Sequence, residues 1–462
     1  MAYAGTIAAI LSNYSEVLKT FYLPAIQEQL NNDSWLKVAL ETNEEDVSGT
    51  DATINHHYGR NTGTFAIADG GIFPNPGHQK HLKSTVPTKY NYGIVTFSGP
   101  TIAATRDDKG SYARVVDNEI RGVVKDLGQE INRQLWGCGY GIIGRWRSGS
   151  ASSITFQKMY RGNSIGGDGF GSTFGGKYVR QNAGCAPVVC TFSTVTCTAA
   201  ALGAVDMAVS AVSRSNADYD TITCTSASVS EAAGTFYVRP KNTVSITSAS
   251  AAGIARQEMM GLRGIVTDTN LDNIPYFDST YDGGAVSFSV EDPLQGLDTD
   301  SYDWWKANVD TSATRYGTQR ALTFDLMQKM FDTVEVEAGK DYGPDMICTT
   351  HALRREYLEL CQSDRRHVNT MELDRGFTGL EYNGIPLVPD KDAIDGEMYF
   401  LTSRDLAIYR MSDYDWMDKD GSILSRVANY DAYEAVLFRY AELGCKRRNS
   451  HGVIGDLAYT AT

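Results

Sequence analysis

The apolar positions of this chain change their spacing several times, and each change marks a different element. Between residues 12 and 40, Val17, Leu18, Phe21, Leu23, Ile26, Leu30, Leu36 and Leu40 return at helical intervals, interrupted by Pro24 and a turn at 31–33. Proline removes an amide donor and clashes with the preceding turn, so the pattern predicts a short helical arm in pieces. From 46 to 105, glycines, prolines and alternating runs such as TINHHY and YNYGIVTFS predict strands joined by long turns. That is an extended β hairpin with little core of its own. The run from 107 to 137 carries Tyr112, Val115, Val116, Ile120, Val123, Val124, Leu127, Ile131 and Leu135 on one stripe, the strongest helix in the sequence. Asp107 and Asp108 complement its dipole, and Gly137 with Gly139 can end it. At 1.5 Å per residue it is a strut of about 40 Å.

Between 151 and 256 the chain turns to Gly, Ser, Thr and Ala with few charges, and short alternating runs (VVCTFSTVTCTA, MAVSAVS, DTITCTSASVS, GTFYVRP, TVSITSA) appear at sandwich-like spacing. They predict an inserted all-β domain of about 100 residues. The stretch 259–313 is loop-rich and contains QGLD and the tandem Trp304 and Trp305, read as core anchors. The last third reads as helix 323–338, strand 345–349, helix 351–362 and strands at 379–388, 398–402, 407–410 and 432–442, gathered in one core. The fold class expected is α+β.

A chain of 462 residues exceeds one ordinary core, so two to four folding units are expected. With 42% hydrophobic and 21% charged residues it has the composition of a folding chain, not a disordered one. No stretch reaches the length of apolar sequence a membrane span needs, and the start MAYAGTIAAILSNYSE lacks the basic and long apolar regions of a secretory signal. The net charge of −14 argues against a protein that grips nucleic acid over its whole surface, yet suits a container that must not stick to its cargo.

The candidate chemistry is thin. Eight cysteines are spread along the chain without a CxxC pair, so reduced, mostly buried thiols are expected. Cys185, Cys190, Cys197 and Cys224 lie close enough in sequence to keep one disulfide open. The segment 171–177, GSTFGGK, matches a phosphate-binding pattern, but Tyr178 stands where a Ser or Thr should hold magnesium, and neither the preceding strand nor the following helix is there. A flexible glycine-rich loop is the expectation. His78 and His81 have metal-like spacing beside Pro74 and Pro76, which exclude a helix; with His56 and His57 they read as surface or interface histidines. Asp413, Asp415, Asp418, Asp420 and Gly421 lack the spacing and closing Glu of a calcium loop. No catalytic residue, cofactor or metal is expected, and the chain reads as not an enzyme.

Three later stretches carry a resemblance: GPDMICTTHALRREYLEL, GFTGLEYNGIPLVPDKDAIDGEMYFLTSRDLAIYRMSDYDWMDKDG and DAYEAVLFRYAELGCKRRNSHGVIGDL. Together with the order arm, hairpin, long helix and α/β lobe, they resemble the Hong Kong 97 capsid fold of tailed-bacteriophage major capsid proteins, loosely over 1–150 and well over 259–457. The resemblance implies an N-terminal arm (1–50), an E-loop (51–105), a spine helix of a peripheral domain (106–150), an inserted all-β sandwich-like domain (151–256), a return segment (257–322) and an axial domain with a closing peripheral strand (323–462). It implies a subunit of pentamers and hexamers in an icosahedral head around double-stranded DNA. Assembly in the host bacterial cytoplasm, a separate scaffolding protein, a portal protein and a possible cement or decoration protein come with it, and packaged DNA lies only in weak non-specific proximity. It places Asp364, Arg365 and Arg366 near the capsomer centre, where an ordinary solvated loop is the alternative, and Phe65, Ile67, Ile72 and Phe73 of the E-loop in contacts between subunits. Some members of the family join a Lys to an Asn covalently; Lys80, Lys83, Lys89 and Asn429 are common residue types, and no cross-link is expected. The competing readings are another virion structural or adhesive protein with a β-sandwich, and a glycine-loop nucleotide-binding enzyme.

Overall fold

The structure is a computed structural model that describes residues 36, 39–44, 46–73, 75–98, 109–139, 142–150, 153–157, 188–193, 196–199, 209–213, 219–224, 236–238, 258–271, 293–311, 319–363, 370–373, 377–390, 392–394, 396–418, 425–427 and 429–459. Strands β1 (Glu41–Asn43) and β2 (Val47–Ser48) lead into β3 (Asp51–Gly59), β4 (Lys80–Pro87), β5 (Lys89–Ser98) and the long helix α1 (Lys109–Trp136). There follow β6 (Ile142–Ser150), β7 (Ser153–Gln157), β8 (Val188–Ser193), β9 (Thr196–Ala199), β10 (Val209–Ser213), β11 (Tyr219–Cys224) and β12 (Phe236–Val238). After a one-turn helix at Leu262–Ile265 come β13 (Asn308–Asp310), α2 (Phe324–Ala338), β14 (Met346–Thr349), α3 (His351–Ser363), β15 (Thr370–Leu373), β16 (Phe377–Tyr382), β17 (Ile385–Pro389) and β18 (Met398–Leu401). The last elements are β19 (Leu406–Trp416), β20 (Ser425–Arg426), β21 (Ala432–Cys445) and β22 (Gly452–Ile454). Helices and mainly antiparallel sheets segregate, so the fold is α+β.

The first layer is the sheet β1-β19-β21-β20, with β5 also paired to β21 and α1 packed against it. Along α1, Ile120, Val124, Leu127, Ile131 and Leu135 are buried, recurring three or four residues apart as a helix with one apolar stripe must. On β5 the buried residues Asn91, Val95 and Phe97 fall on one side of the pleat. Tyr112, Val115 and Val116 of the predicted stripe, and the dipole partners Asp107 and Asp108, lie outside the described side chains. So does most of the predicted arm. Leu36 and Leu40 are buried in the same core, one helical turn apart, with Leu40 N–H donating to the Leu36 carbonyl at 3.1 Å.

A buried polar cluster fastens the segment after residue 258 to the end of α1. Arg133 lies 2.5 Å from both Glu130 and Glu258. Burial pushes its pKa down, but the two carboxylates more than offset this and hold it well above its usual value, so the guanidinium stays charged. The Glu442 carboxylate accepts from the backbone N–H of Met260 (2.5 Å) and Leu443 (3.0 Å), and Gln134 Oε1 accepts from Met259 N–H (3.1 Å). Gly261 is required at this crossing, since a Cβ there would stand 2.3 Å from the Gln134 carbonyl.

The second layer is the sheet β13-β22-β18-β14-β17-β16-β15 with α2 and α3. Met327, Met330 and Val334 of α2 meet Leu353, Tyr357 and Cys361 of α3 over Ile347, Leu387 and Phe400. Thr323 caps α2, its side chain accepting from Leu326 N–H at 3.2 Å.

Four expectations change. The predicted strand 379–388 is a hairpin, β16 and β17, because Asn383 (φ 51°) and Gly384 (φ 77°) form a tight turn in the left-handed region within EYNGIP. The last third does not share one core: β14 to β18 and β22 belong to the second layer, whereas β19 to β21 belong to the first. Strand β21, at 14 residues, is long enough to bond with β19, β20 and β5, which draws this part of the chain away from the sheet of the second layer. The run YNYGIVTFS, expected in the hairpin, is β5 of the first layer.

The glycine- and threonine-rich middle forms the sheet β10-β11-β7-β6-β12-β8-β9, every described pair antiparallel. It begins at Ile142 rather than 151, because β6 pairs with β12 through its first half and with β7 through its second. Register sets Cys190 opposite Ala199 and Phe192 opposite Cys197. The thiols of Cys185, Cys190, Cys197 and Cys224, and the segment GSTFGGK, lie outside the described residues.

Candidate docking surface at the hairpin and the outer sheet face

Strands β3 and β4 pair from Asp51↔Pro87 to Gly59↔Lys80, with β2 alongside β3. The lower half of this hairpin is fixed to the body. Ala52 and Val86 pack on Ala407 and Tyr409 of β19. His56 is buried; its Nε2 hydrogen-bonds Ser84 Oγ at 2.7 Å, and its ring lies 5.0 Å from Trp305 and 5.6 Å from Trp304. Burial lowers its pKa, so the ring is held neutral. Tyr58 stacks on Trp304 at 5.5 Å. The expected anchoring role of the tandem tryptophans thus falls on the hairpin root. Gln295 of the QGLD segment sits at φ 54°, and its side-chain amide lies against the backbone of Cys445, within 3.0 Å of the carbonyl and 2.8 Å of the N–H.

Beyond Gly59 the chain leaves this support. Residues 60–79 form a long tip whose described local bonds are turns: Gly63 N–H donates to Asn61 Oδ1 (2.7 Å) and Gly71 N–H to the Ala68 carbonyl (3.0 Å). All four residues expected to make contacts between subunits are here and open to solvent: Ile72 at 93%, Phe73 at 78%, Ile67 at 45% and Phe65 at 44% exposure. Phe65 and Phe73 touch only edge to face, 6.1 Å between centroids. Covering a side chain of this size from water is worth about 1.5–3 kcal/mol, so the tip carries a substantial unused driving force for association.

A second surface was not singled out in the sequence. On the face of β5 and β21 opposite the buried Asn91, Val95 and Leu437, Tyr90, Tyr92 and Ile94 are about half exposed and cluster with Phe438 and Tyr440. Tyr92 Oη lies 3.4 Å from Tyr440 Oη, and burial together with that neighbour pushes the Tyr92 pKa up to about 12. The alternation in YNYGIVTFS signalled a two-faced strand; that its outer face is aromatic is the detail that marks a contact surface.

The other candidates are quickly placed. Asp364, Arg365 and Arg366 lie outside the described residues, between α3 and β15. His57 and His81 face each other across β3 and β4 at 5.0 Å, and His57 Nε2 contacts Gln79 Oε1 at 2.7 Å. Among the described residues no three His, Cys, Asp or Glu side chains converge. Asp413 is ion-paired with Arg410, while Asp420 and Gly421 lie outside the described residues. Lys80 and Lys83 are on β4, Lys89 opens β5, and Asn429 (φ 67°) is in the turn before β21. The thiols of Cys138, Cys348, Cys361 and Cys445 are free and buried. Burial raises the pKa of Cys348 and pushes that of Cys445 up to about 12, so neither is a ready nucleophile. No described helix is long and apolar enough to cross a membrane.

No family model and no curated protein matches this sequence. Among solved structures, the chain is similar to the capsid asymmetric unit of cyanophage A-1(L), at 12% identity over 92% of this chain and 93% of that one, with a TM-score of 0.48. It is also similar to the capsid of an empty GTA particle, at 7% identity over 99% and 95% with a TM-score of 0.44. The capsid of Myoviridae phage XM1 matches at 7% identity over 92% and 91%, with a TM-score of 0.42.

Proposed function

We propose that this chain is a major capsid protein: a non-enzymatic subunit that assembles with copies of itself, as pentamers and hexamers, into the icosahedral head of a tailed phage around double-stranded DNA. The observation that carries the reading is the hairpin. Its root is held by His56, Trp304 and Trp305, while its tip presents Ile72 and Phe73 to water with nothing among the described residues to cover them. A monomer gains nothing from extending such a tip away from its core; a subunit that buries it on a neighbour does. The long helix against a sheet, the separate α/β layer and the signature stretches of the last third agree with the resemblance drawn from the sequence.

In this reading the hairpin is the E-loop, the layer of α1 and β21 is the peripheral domain, and the layer of α2 and α3 is the axial domain. Asp364, Arg365 and Arg366 lie near the capsomer centre, and Phe65, Ile67, Ile72 and Phe73 touch a neighbour. A scaffolding protein and a portal protein act during assembly in the host cytoplasm, and a decoration protein can join the finished head. The sheet of β6 to β12 is an insertion exposed on the particle. Electron microscopy of the overexpressed chain, alone and with a scaffolding partner, tests the proposal. Shells or capsomers are expected; a monodisperse monomer under every assembly condition overturns it.

A further inference from the structure

A cavity of about 580 Å³ opens at the root of the hairpin, between β3 and the stretch that follows β21. Cations dominate its wall: Arg60, Lys446, Arg447 and Arg448 line it with one acid, Glu337, and the Asp405 carboxylate stands 4.0 Å from Arg447 Nε. Arg447 is held in place, its guanidinium 3.7 Å over the Tyr342 ring and its Nη1 donating to the Ala338 carbonyl at 3.3 Å. Arg60 is exposed and makes no ion pair or hydrogen bond among the described residues. Trp304 and Trp305 also line the cavity, and the indole N–H of each is buried without an acceptor among the described residues. Buried donors are nearly always satisfied, so two such donors beside a cationic wall favour an acceptor-bearing anion at this place.

The charge balance of the chain says where such an anion comes from. With 56 acidic against 42 basic residues, the surface that another copy presents is rich in carboxylates. The residues 55–60 that wall the cavity run directly into the hairpin tip, so the cavity adjoins the surface that the assembly reading gives to a second copy. Inside a partly enclosed cavity, charges are screened less than on open surface. We propose that this cavity is a socket for an Asp or Glu side chain of a second copy of this chain, seated against Arg60, Lys446 and the two indoles. The inference rests on the assembly reading above.

Particles assembled from mixed isotope-labelled and unlabelled chains and treated with a carbodiimide, which joins an amine to a carboxylate in contact, test it directly. The expected product is an isotope-mixed peptide pair joining Lys446 to an acidic residue of another copy, absent from Lys446→Gln particles. Lys446 linked only within its own chain, or unlinked in intact particles, overturns the socket while leaving the assembly reading standing. Lys446 that reacts only after nuclease digestion also overturns it, since a nucleic-acid phosphate then holds the site. Failure to assemble at all removes both. As a second arm, Arg60→Glu is expected to lower particle yield about threefold at physiological salt while Arg60→Lys retains it, the scale of a partly exposed ion pair. Equal yields from Arg60→Glu and the parent chain would count against the socket.

Discussion

Arg448 shows how much one side chain can organise. It is fully buried and donates to four carbonyls, those of Ile265 (2.6 Å), Thr269 (3.0 Å), Trp305 (3.2 Å) and Gly264 (3.3 Å), so it ties the chain after β21 to the segments that follow the inserted sheet. Burial brings its pKa down to about 10, which still leaves it charged at neutral pH. Arg448→Met should cost about 3–5 kcal/mol, because the carbonyls lose their donor inside the core; thermal unfolding of the purified chain measures it. His451, three residues on, is buried, and burial followed by the Arg448 charge lowers its pKa to about 3 from 6.5. Between those values only the unfolded chain takes up the proton. The contribution to stability is therefore complete above pH 6.5 and declines as the pH falls toward 3, by up to about 1.4 kcal/mol per pH unit. His451→Asn should flatten the pH dependence of the urea midpoint over this range by about one proton, and an unchanged slope would show that His451 is not the group responsible.

At the scale of elements, two glycines and one hairpin make the testable points. Gly384→Ala places a Cβ at φ 77° in the β16–β17 turn and should destabilise by about 1 kcal/mol, whereas Asn383→Gly should be close to neutral. Gly261→Ala is expected to be worse, about 2–3 kcal/mol, because the new carbon meets backbone atoms of Gln134 and Gly137 that cannot swing aside. Denaturant midpoints of the two variants rank them. For the hairpin, amides at 61–79 should exchange with solvent quickly in the unassembled chain and become protected in particles, while those of β3 and β4 stay protected in both. Fast exchange of β3 itself would mean that the Trp304–Trp305 anchor does not hold the root.

For the whole molecule the issue is association. Ile72→Asp together with Phe73→Asp should abolish particle formation yet shift the melting temperature of the single chain by less than about 2 °C, since both side chains are exposed in the monomer. Normal particles from that variant would move the contact elsewhere, the outer face of β5 being the next candidate. The absence of cross-links expected from the sequence is read by boiling particles in reductant and detergent: a single band at the monomer mass is the expected outcome. A ladder would place Lys80, Lys83 or Lys89 and Asn429 in a covalent role.

What the sequence determined by itself follows from local periodicity. The stripe of α1 from Ile120 to Leu135, the strands of the glycine- and threonine-rich middle and the helices α2 and α3 were legible because a helix or a half-buried strand writes its own spacing into a dozen or so residues. Ile72 and Phe73 were singled out only through the resemblance, as E-loop contacts; that they stand exposed at the tip is a finding of the structure. What only the tertiary structure decided are the long-range pairings. Nothing within YNYGIVTFS says that its partner is β21, more than three hundred residues away, and nothing within the last third says that β19 and β21 leave the second layer to complete the first. Strand pairing is settled by which buried face finds a complementary face, a property of two segments at once. The root of the hairpin follows the same logic, since His56, Trp304 and Lys446 are ordinary residues in sequence and become a cationic, aromatic cavity only where three distant segments meet.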